Sequence, residues 1–310
     1  MIYLFELEDI VSIRSRNEAL EGMEGSGGMI LELGGLEHCV NLLELDLGEN
    51  QIVDLTPLES LTTLRTLRLS GNQIRDISSL ASLTILETLD LGNNHITDIS
   101  PLMGLSNLGS LDLSANQLKD LTPLNSLSNL TKLYLGQNKL GDLSPLEGMK
   151  SLETLDVSRN EIWDISPLSS LTGLRSLSLG HVVTGRSWFR NTEVPGTSNQ
   201  VRDLSPLAGL TGLEELVLNA NEITDVTPLS SLANLRVLYL ATNGITDISP
   251  LGALTYLQEL DVRSNKISDI SPLLGCTGLT MLSVMSGNPL TEQSEDIIST
   301  LKDRGVRITN

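Results

Sequence analysis

The apolar positions of this chain fall into a fixed rhythm. Residues 64–84 read LRTLRLSGNQIRDISSLASLT, residues 86–106 read LETLDLGNNHITDISPLMGLS, and residues 108–128 read LGSLDLSANQLKDLTPLNSLS. The shared pattern is L-x-x-L-x-L-x-x-N-x-[IL]-x-D-[ILV]-[ST]-P-L-x-x-L. Its asparagines are Asn50, Asn72, Asn94, Asn116, Asn138, Asn160, Asn199, Asn221, Asn243, Asn265 and Asn288. Successive gaps are 22 five times, then 39, then 22 three times, then 23, so eleven units carry one 17-residue insertion. A period of this length marks an array of stacked coils.

Each position of the pattern has a physical reading. In L-x-L, apolar and polar residues alternate as in a strand with one buried face. Parallel stacking would set neighbouring coils about 4.8 Å apart. The Asn stands where the chain leaves the strand, and its amide is expected to bond backbone groups of the turn and of the next coil. The Asp four residues later is expected to accept turn N–H groups as an Asx motif. The S/T-P-L that follows favours an extended or tight 3-10 arc, because Pro fixes φ and removes a donor. Nine of the eleven prolines occupy this slot, and only Ser79 breaks it.

On these residues the chain resembles the leucine-rich repeat family, in the 22-residue form found in bacterial internalins, over about residues 29–310. The resemblance implies an α/β leucine-rich-repeat solenoid. Its expected form is a right-handed curved superhelix with a parallel β-sheet on the concave face and short 3-10 or extended segments on the convex side. Residues 29–40 (MILELGGLEHCV) match the second half of a repeat, with Cys39 in a Leu slot; Cys276 occupies the same slot in the tenth unit. Both thiols are expected to act as small buried hydrophobes. Residues 288–310 resemble the closing helix and last strand of such arrays, with 293–304 as a polar cap, and imply a natural C-terminus. The domain reading is therefore an extension or atypical cap at 1–28, an array at 29–287 with a loop at 182–198, and a C-terminal cap at 288–310. Within 1–28 a short helix is expected before the Gly-rich stretch 22–28.

Composition narrows the function. Aromatics make up 3% of the chain, so its core must be stacked Leu and Ile. The net charge is −19, which disfavours nucleic acid and anionic membrane as partners. Two cysteines far apart exclude a disulfide framework. The first five residues lack the basic region and apolar core of a signal peptide, and no stretch approaches the roughly 20 apolar residues of a membrane span. The expected location is cytoplasmic, or secreted if a leader has been removed. His38, His95 and His181 show no metal-ligand spacing, and no phosphate loop, nucleophile elbow or calcium loop occurs. Neither a cofactor, a metal nor a catalytic residue is expected.

What remains is surface. On each strand two positions should face the concave side. The outer of these reads Asp46, Arg68, Asp90, Asp112, Tyr134, Asp156, Ser178, Val217, Tyr239, Asp261 and Ser283. The Asp column can mean solubility alone; departures from it say more. Val217, Val237 and Tyr239 are expected to form an exposed apolar patch on adjacent strands, and such patches mark interaction sites. The insertion carries Trp188 and Phe189 between Arg186 and Arg190, residue types enriched in binding hot spots. It either engages a partner or folds back over Trp163. The function expected is a non-catalytic protein-binding scaffold, monomeric, with Tyr134, Asp156, Trp188, Phe189, Arg190, Val217, Val237 and Tyr239 as contacts. Its acidic strands would steer a partner with a basic surface. The alternatives are a regulatory subunit controlling a phosphatase or GTPase, and a carbohydrate-binding surface protein.

Overall fold

A computed structural model describes residues 10–15, 29–181 and 198–309. The chain divides into two compact units, Met1–Lys139 and Leu140–Asn310. The first holds six short parallel strands: β1 (Ser12–Arg14), β2 (Glu44–Asp46), β3 (Thr66–Arg68), β4 (Thr88–Asp90), β5 (Ser110–Asp112) and β6 (Lys132–Tyr134). Their central residues Ile13, Leu45, Leu67, Leu89, Leu111 and Leu133 lie in one register row. The second unit holds β7 (Thr154–Asp156), β8 (Ser176–Ser178), β9 (Glu215–Val217), β10 (Val237–Tyr239), β11 (Glu259–Asp261), β12 (Met281–Ser283) and β13 (Arg307–Thr309). These also pair in parallel, with Leu155, Leu177, Leu216, Leu238, Leu260, Leu282 and Ile308 in register.

The return path of each coil is a 3-10 arc on the S/T-P-L slot, for example Thr56–Leu58, Ser100–Gly104 and Thr227–Ser231. Leucines spaced by three are what make it work. Leu80 N donates to Ile77 O, Leu83 N to Leu80 O and Leu86 N to Leu83 O, at 3.0, 3.0 and 3.1 Å. With about three residues per turn, every leucine of this run points the same way, and Leu80, Leu83 and Leu86 are fully buried. Burying each such side chain contributes about 1.5–3 kcal/mol against conformational entropy. The acid that starts each arc is an Asx cap. Asp54, Asp98, Asp142 and Asp269 accept the N–H two residues on, at 2.8–2.9 Å. Ser79 lacks the proline, yet Ser78–Ser82 forms the same arc under the Asp76 cap. The cap and the leucine spacing therefore suffice without Pro.

The asparagines are buried and saturated. Asn72 donates from Nδ2 to Leu69 O at 2.9 Å and to Leu47 O at 3.0 Å, and its Oδ1 accepts Ile52 N at 2.9 Å. Leu47 and Ile52 belong to the coil before it, so the expected bond to the next coil is corrected: the amide reaches back. These bonds close a turn in which the residue before the Asn is left-handed, from Asn50 to Asn160 and again from Asn221 to Asn288. Glu49, Asn93, Ala115, Gln137, Arg159, Ala220, Thr242 and Ser264 all have φ between 51° and 59°, a region that non-glycine residues enter only when the surroundings hold them there.

The two ends differ. Helix α1 (Gln293–Asp303) buries Ile298 and Leu301, and β13 follows it onto β12, as the sequence led us to expect. At the other end, Ser12–Arg14 is a strand paired with β2 and not part of a helix. Strand stacking thus begins ahead of residue 29. Cys39 and Cys276 are each 2% exposed, in the leucine slots assigned to them.

Candidate partner-binding face

The third residue of each strand sits beside its counterparts at strand spacing and next to the turn that follows. This crowding buries much of the row. In the first unit Asp46 is 7% exposed, and Asp90 and Asp112 are half-buried. Asp46, Asp90 and Asp112 accept the N–H of Gly48, Gly92 and Ser114 at 3.3, 3.1 and 2.8 Å. The Asp column is thus a second set of turn caps, which explains its recurrence without a ligand. Tyr134, half-buried on β6, lies beside Asp112 on β5.

In the second unit Asp156 is 4% exposed and accepts Ser158 N at 2.9 Å, and Ser178 is fully buried with its hydroxyl on Gly180 O. Val217 is 6% exposed. The exposed apolar patch expected at Val217, Val237 and Tyr239 is therefore corrected: the lateral neighbours and turn that crowd this row cover Val217. What β10 offers the surface is half-buried Val237 and half-buried Tyr239, the latter donating its hydroxyl to Glu259 Oε2 at 3.0 Å.

Trp188, Phe189 and Arg190 lie outside the described residues. The two roots of their insertion are held by hydrogen bonds. On one side His181 N donates to Asn219 O at 3.3 Å, while Asn219 Nδ2 donates to His181 O at 2.9 Å. On the other, Asn199 takes its ladder place, accepting Ile162 N at 3.0 Å and donating to Val157 O at 2.9 Å and Leu179 O at 2.8 Å. Gly180 precedes the first root, and a Cβ there would stand 2.2 Å from Asn219 N. Arg159 Nε donates to His181 Nδ1 at 2.9 Å. Burial, and secondarily the Arg159 charge, push the His181 pKa below its usual value, in keeping with a neutral ring that accepts at Nδ1. The sequence analysis passed over Arg159, His181 and Asn219. The one signal was Asn219, which stands in a slot that Gly or Ser fills in most other units. Trp163 is 69% exposed.

Among the described residues no three His, Cys, Asp or Glu side chains converge as metal ligands, and no helix is long and apolar enough to cross a membrane.

The sequence profile of leucine-rich repeats (2 copies) matches residues 40–82, 62–106, 86–126, 106–148, 128–170, 211–253 and 233–275. That is more than half of the chain, which belongs to the leucine-rich repeat family; the unmatched stretch between 170 and 211 holds the insertion. The repeats are of the internalin-like kind. An internalin, InlF, of Listeria monocytogenes is 33% identical, over 100% of this chain and 85% of that one, with a TM-score of 0.85. A leucine-rich-repeat protein of Leptospira interrogans shares the fold at 24% identity, covering 89% of this chain and 74% of its own, with a TM-score of 0.74. The functional domain of Listeria monocytogenes InlJ, described as including a cysteine ladder, does so at 24% identity and a TM-score of 0.63, over 80% of this chain and 50% of that one. No protein of curated function matches the sequence significantly.

Proposed function

We propose that this protein is a non-catalytic scaffold that binds a protein partner through the strand face of its second unit. The observation that carries the reading is β10. Val237 and Tyr239 offer partly exposed apolar surface where Asp156, Val217 and Asp261 in the row are closed off. The hydroxyl of Tyr239 is already held by Glu259, so its ring would lose little freedom on binding, and aromatic anchors of this kind dominate interface energetics. Trp188, Phe189 and Arg190 of the insertion are candidate further contacts; Asp156, 4% exposed, serves the face as a turn cap, and Tyr134 belongs to the first unit and is a separate candidate. A basic surface on the partner fits the net charge of −19, which makes association faster at low salt.

The test is capture of partners by immobilised protein, followed by affinity measurement on the purified partner for Tyr239→Ala, Trp188→Ala and Thr56→Ala. The first two are expected to weaken binding by at least about 2 kcal/mol with unchanged melting, and Thr56→Ala not at all. Equal affinity for all three would overturn the proposed face.

A further inference from the structure

The residues that lead into the strands form a second lateral row, off the strand face. Arg175, Glu214, Arg236 and Gln258 occupy it on consecutive coils, joined by Glu214 N to Arg175 O, Arg236 N to Glu214 O and Gln258 N to Arg236 O, each 2.8 Å. Two residues earlier, the same coils carry Gly173, Gly212, Asn234 and Tyr256. A depression of about 450 Å³ lies over Gly212, bounded by Arg175, Arg236 and Tyr256.

Its electrostatics run against the rest of the molecule. Two arginines flank a single acid, Glu214, in a chain with 39 acidic and 20 basic residues. Glu214 is committed to Arg175, whose Nη1 donates to Oε1 at 3.1 Å. Arg236 is left with a loose pairing, Nε standing 3.9 Å from Glu214 Oε2, too far for a hydrogen bond. Among the described residues its guanidinium has no hydrogen-bonding partner, and neither has the hydroxyl of Tyr256, which is 68% exposed. Asn234 donates from Nδ2 to Thr211 O at 2.9 Å. The depression thus combines an unspent planar donor fork, an exposed aromatic ring and a floor without a side chain. A guanidinium fork matches a carboxylate in two parallel hydrogen bonds, and Arg beside Tyr is the composition of a binding hot spot.

We propose that this depression receives a Glu or Asp side chain from an acidic segment of a protein partner. Arg236 forks the carboxylate, Arg175 adds charge from the far side of Glu214, and the Tyr256 ring covers the aliphatic stem. This surface uses none of the residues of β10 or the insertion, so it stands or falls apart from the strand-face reading. Glu214 has a defined part in it: its charge repels the incoming carboxylate and holds Arg175 back.

The probe is the peptide acetyl-Gly-Glu-Glu-Gly-amide, titrated into the full chain while the arginine Nε–H signals are followed by NMR. Its Gln-Gln counterpart and inorganic phosphate are run in parallel. The Glu peptide is expected to shift the Arg236 and Arg175 signals saturably, and the Gln peptide to shift neither. Arg236→Gln should weaken the affinity at least tenfold, and Tyr256→Ala about threefold or more. Glu214→Gln should tighten it severalfold. Arg65→Gln, in the same slot of the first unit and paired with Glu87, should change nothing. All these side chains are substantially exposed, and unchanged melting curves verify the fold. The proposal is overturned if Arg65→Gln weakens binding as much as Arg236→Gln, if Glu214→Gln fails to tighten it, or if phosphate shifts the same signals at lower concentration than the peptide.

Discussion

Replacing Asn94 by alanine tests the logic of the whole ladder. Asn94 is 4% exposed. Its Oδ1 is the one acceptor of Ile74 N, at 3.0 Å, and its Nδ2 donates to Leu69 O and Leu91 O, both at 3.0 Å. A longer bond from Nδ2 to Gly92 O, at 3.3 Å, is lost as well, and the losses are unequal. Leu69 O also receives Asn72 Nδ2 at 2.9 Å and Leu91 O receives Asn116 Nδ2 at 3.0 Å, so each carbonyl keeps a donor. Ile74 N–H keeps nothing, and a buried orphaned donor costs about 1–3 kcal/mol. Adding the weakened carbonyls gives a loss of about 2–4 kcal/mol. Urea denaturation measures the total, with Gln73→Ala on the exposed side of the turn as a control expected within about 0.5 kcal/mol of the parent. Hydrogen exchange localises it: the Ile74 amide should lose protection ahead of its neighbours. An Asn94→Ala variant as stable as the control, with Ile74 still protected, would refute the idea that side-chain amides hold the coils together.

Other expectations follow from the same turns. Thr242 is β-branched, exposed and left-handed at φ 59°, in a slot where Gly71 and Gly287 serve elsewhere. Thr242→Gly should therefore raise stability by roughly 0.5–1 kcal/mol, strain relief exceeding the added freedom of the unfolded chain; a lower urea midpoint would contradict this. Hydrogen bonds from the 3-10 arcs hold the carboxyls of Asp54, Asp76, Asp120 and Asp225 below their usual pKa. Depressed acids stabilise fully above the unfolded pKa and lose that contribution as pH falls through the folded value. The parent should thus lose more stability between pH 5 and 3, values chosen about the ordinary Asp pKa, than a variant with all four changed to Asn. Equal losses would show that other groups drive the acid response. Burial pushes the Cys276 thiol up to about 11, and Cys39 is as deeply covered. Neither should react with a disulfide reagent at pH 8 until the protein is unfolded, and rapid labelling of the native chain would disprove that packing.

What could be read from the chain was whatever a single coil decides. Leucines every third residue, Asp two residues ahead of a turn N–H, and the closing helix all depend on near neighbours, and each is found as expected. Features set by two coils at once were harder. In a regular repeat, nothing in the pattern says whether an asparagine serves the coil before or after it, and the direction emerged only from Leu47 and Ile52 around Asn72. Val217 reads as exposed from alternation alone, because the lateral neighbours that help cover it, Ser178 and Tyr239, belong to other coils. The strand at Ser12–Arg14 escaped notice since Ile10 and Ile13 preserve only two leucine slots. Arg236 and Tyr256 look like ordinary variable positions until the stacking of their coils brings them to one depression.

The backward reach of the asparagines gives the stack a polarity that the strands alone lack. Each coil carries the fastener for its predecessor and depends on its successor. Strip a coil from the amino-terminal side, and what is exposed is an asparagine whose acceptor simply meets water. Strip one from the carboxyl-terminal side, and a main-chain donor such as Ile223 N, held by Asn243 at 3.0 Å, loses its partner. The last donor of the series, Ile267 N, therefore needs its fastener at the carboxyl-terminal end. That is where Asn288 stands, in the short turn after β12 with α1 directly behind it. Its side chain accepts Ile267 N at 3.1 Å and donates to Val262 O at 2.9 Å. A single asparagine borrowed from an incomplete repeat thus acts as the terminator of a one-way zipper, and the helix behind it locks the last tooth.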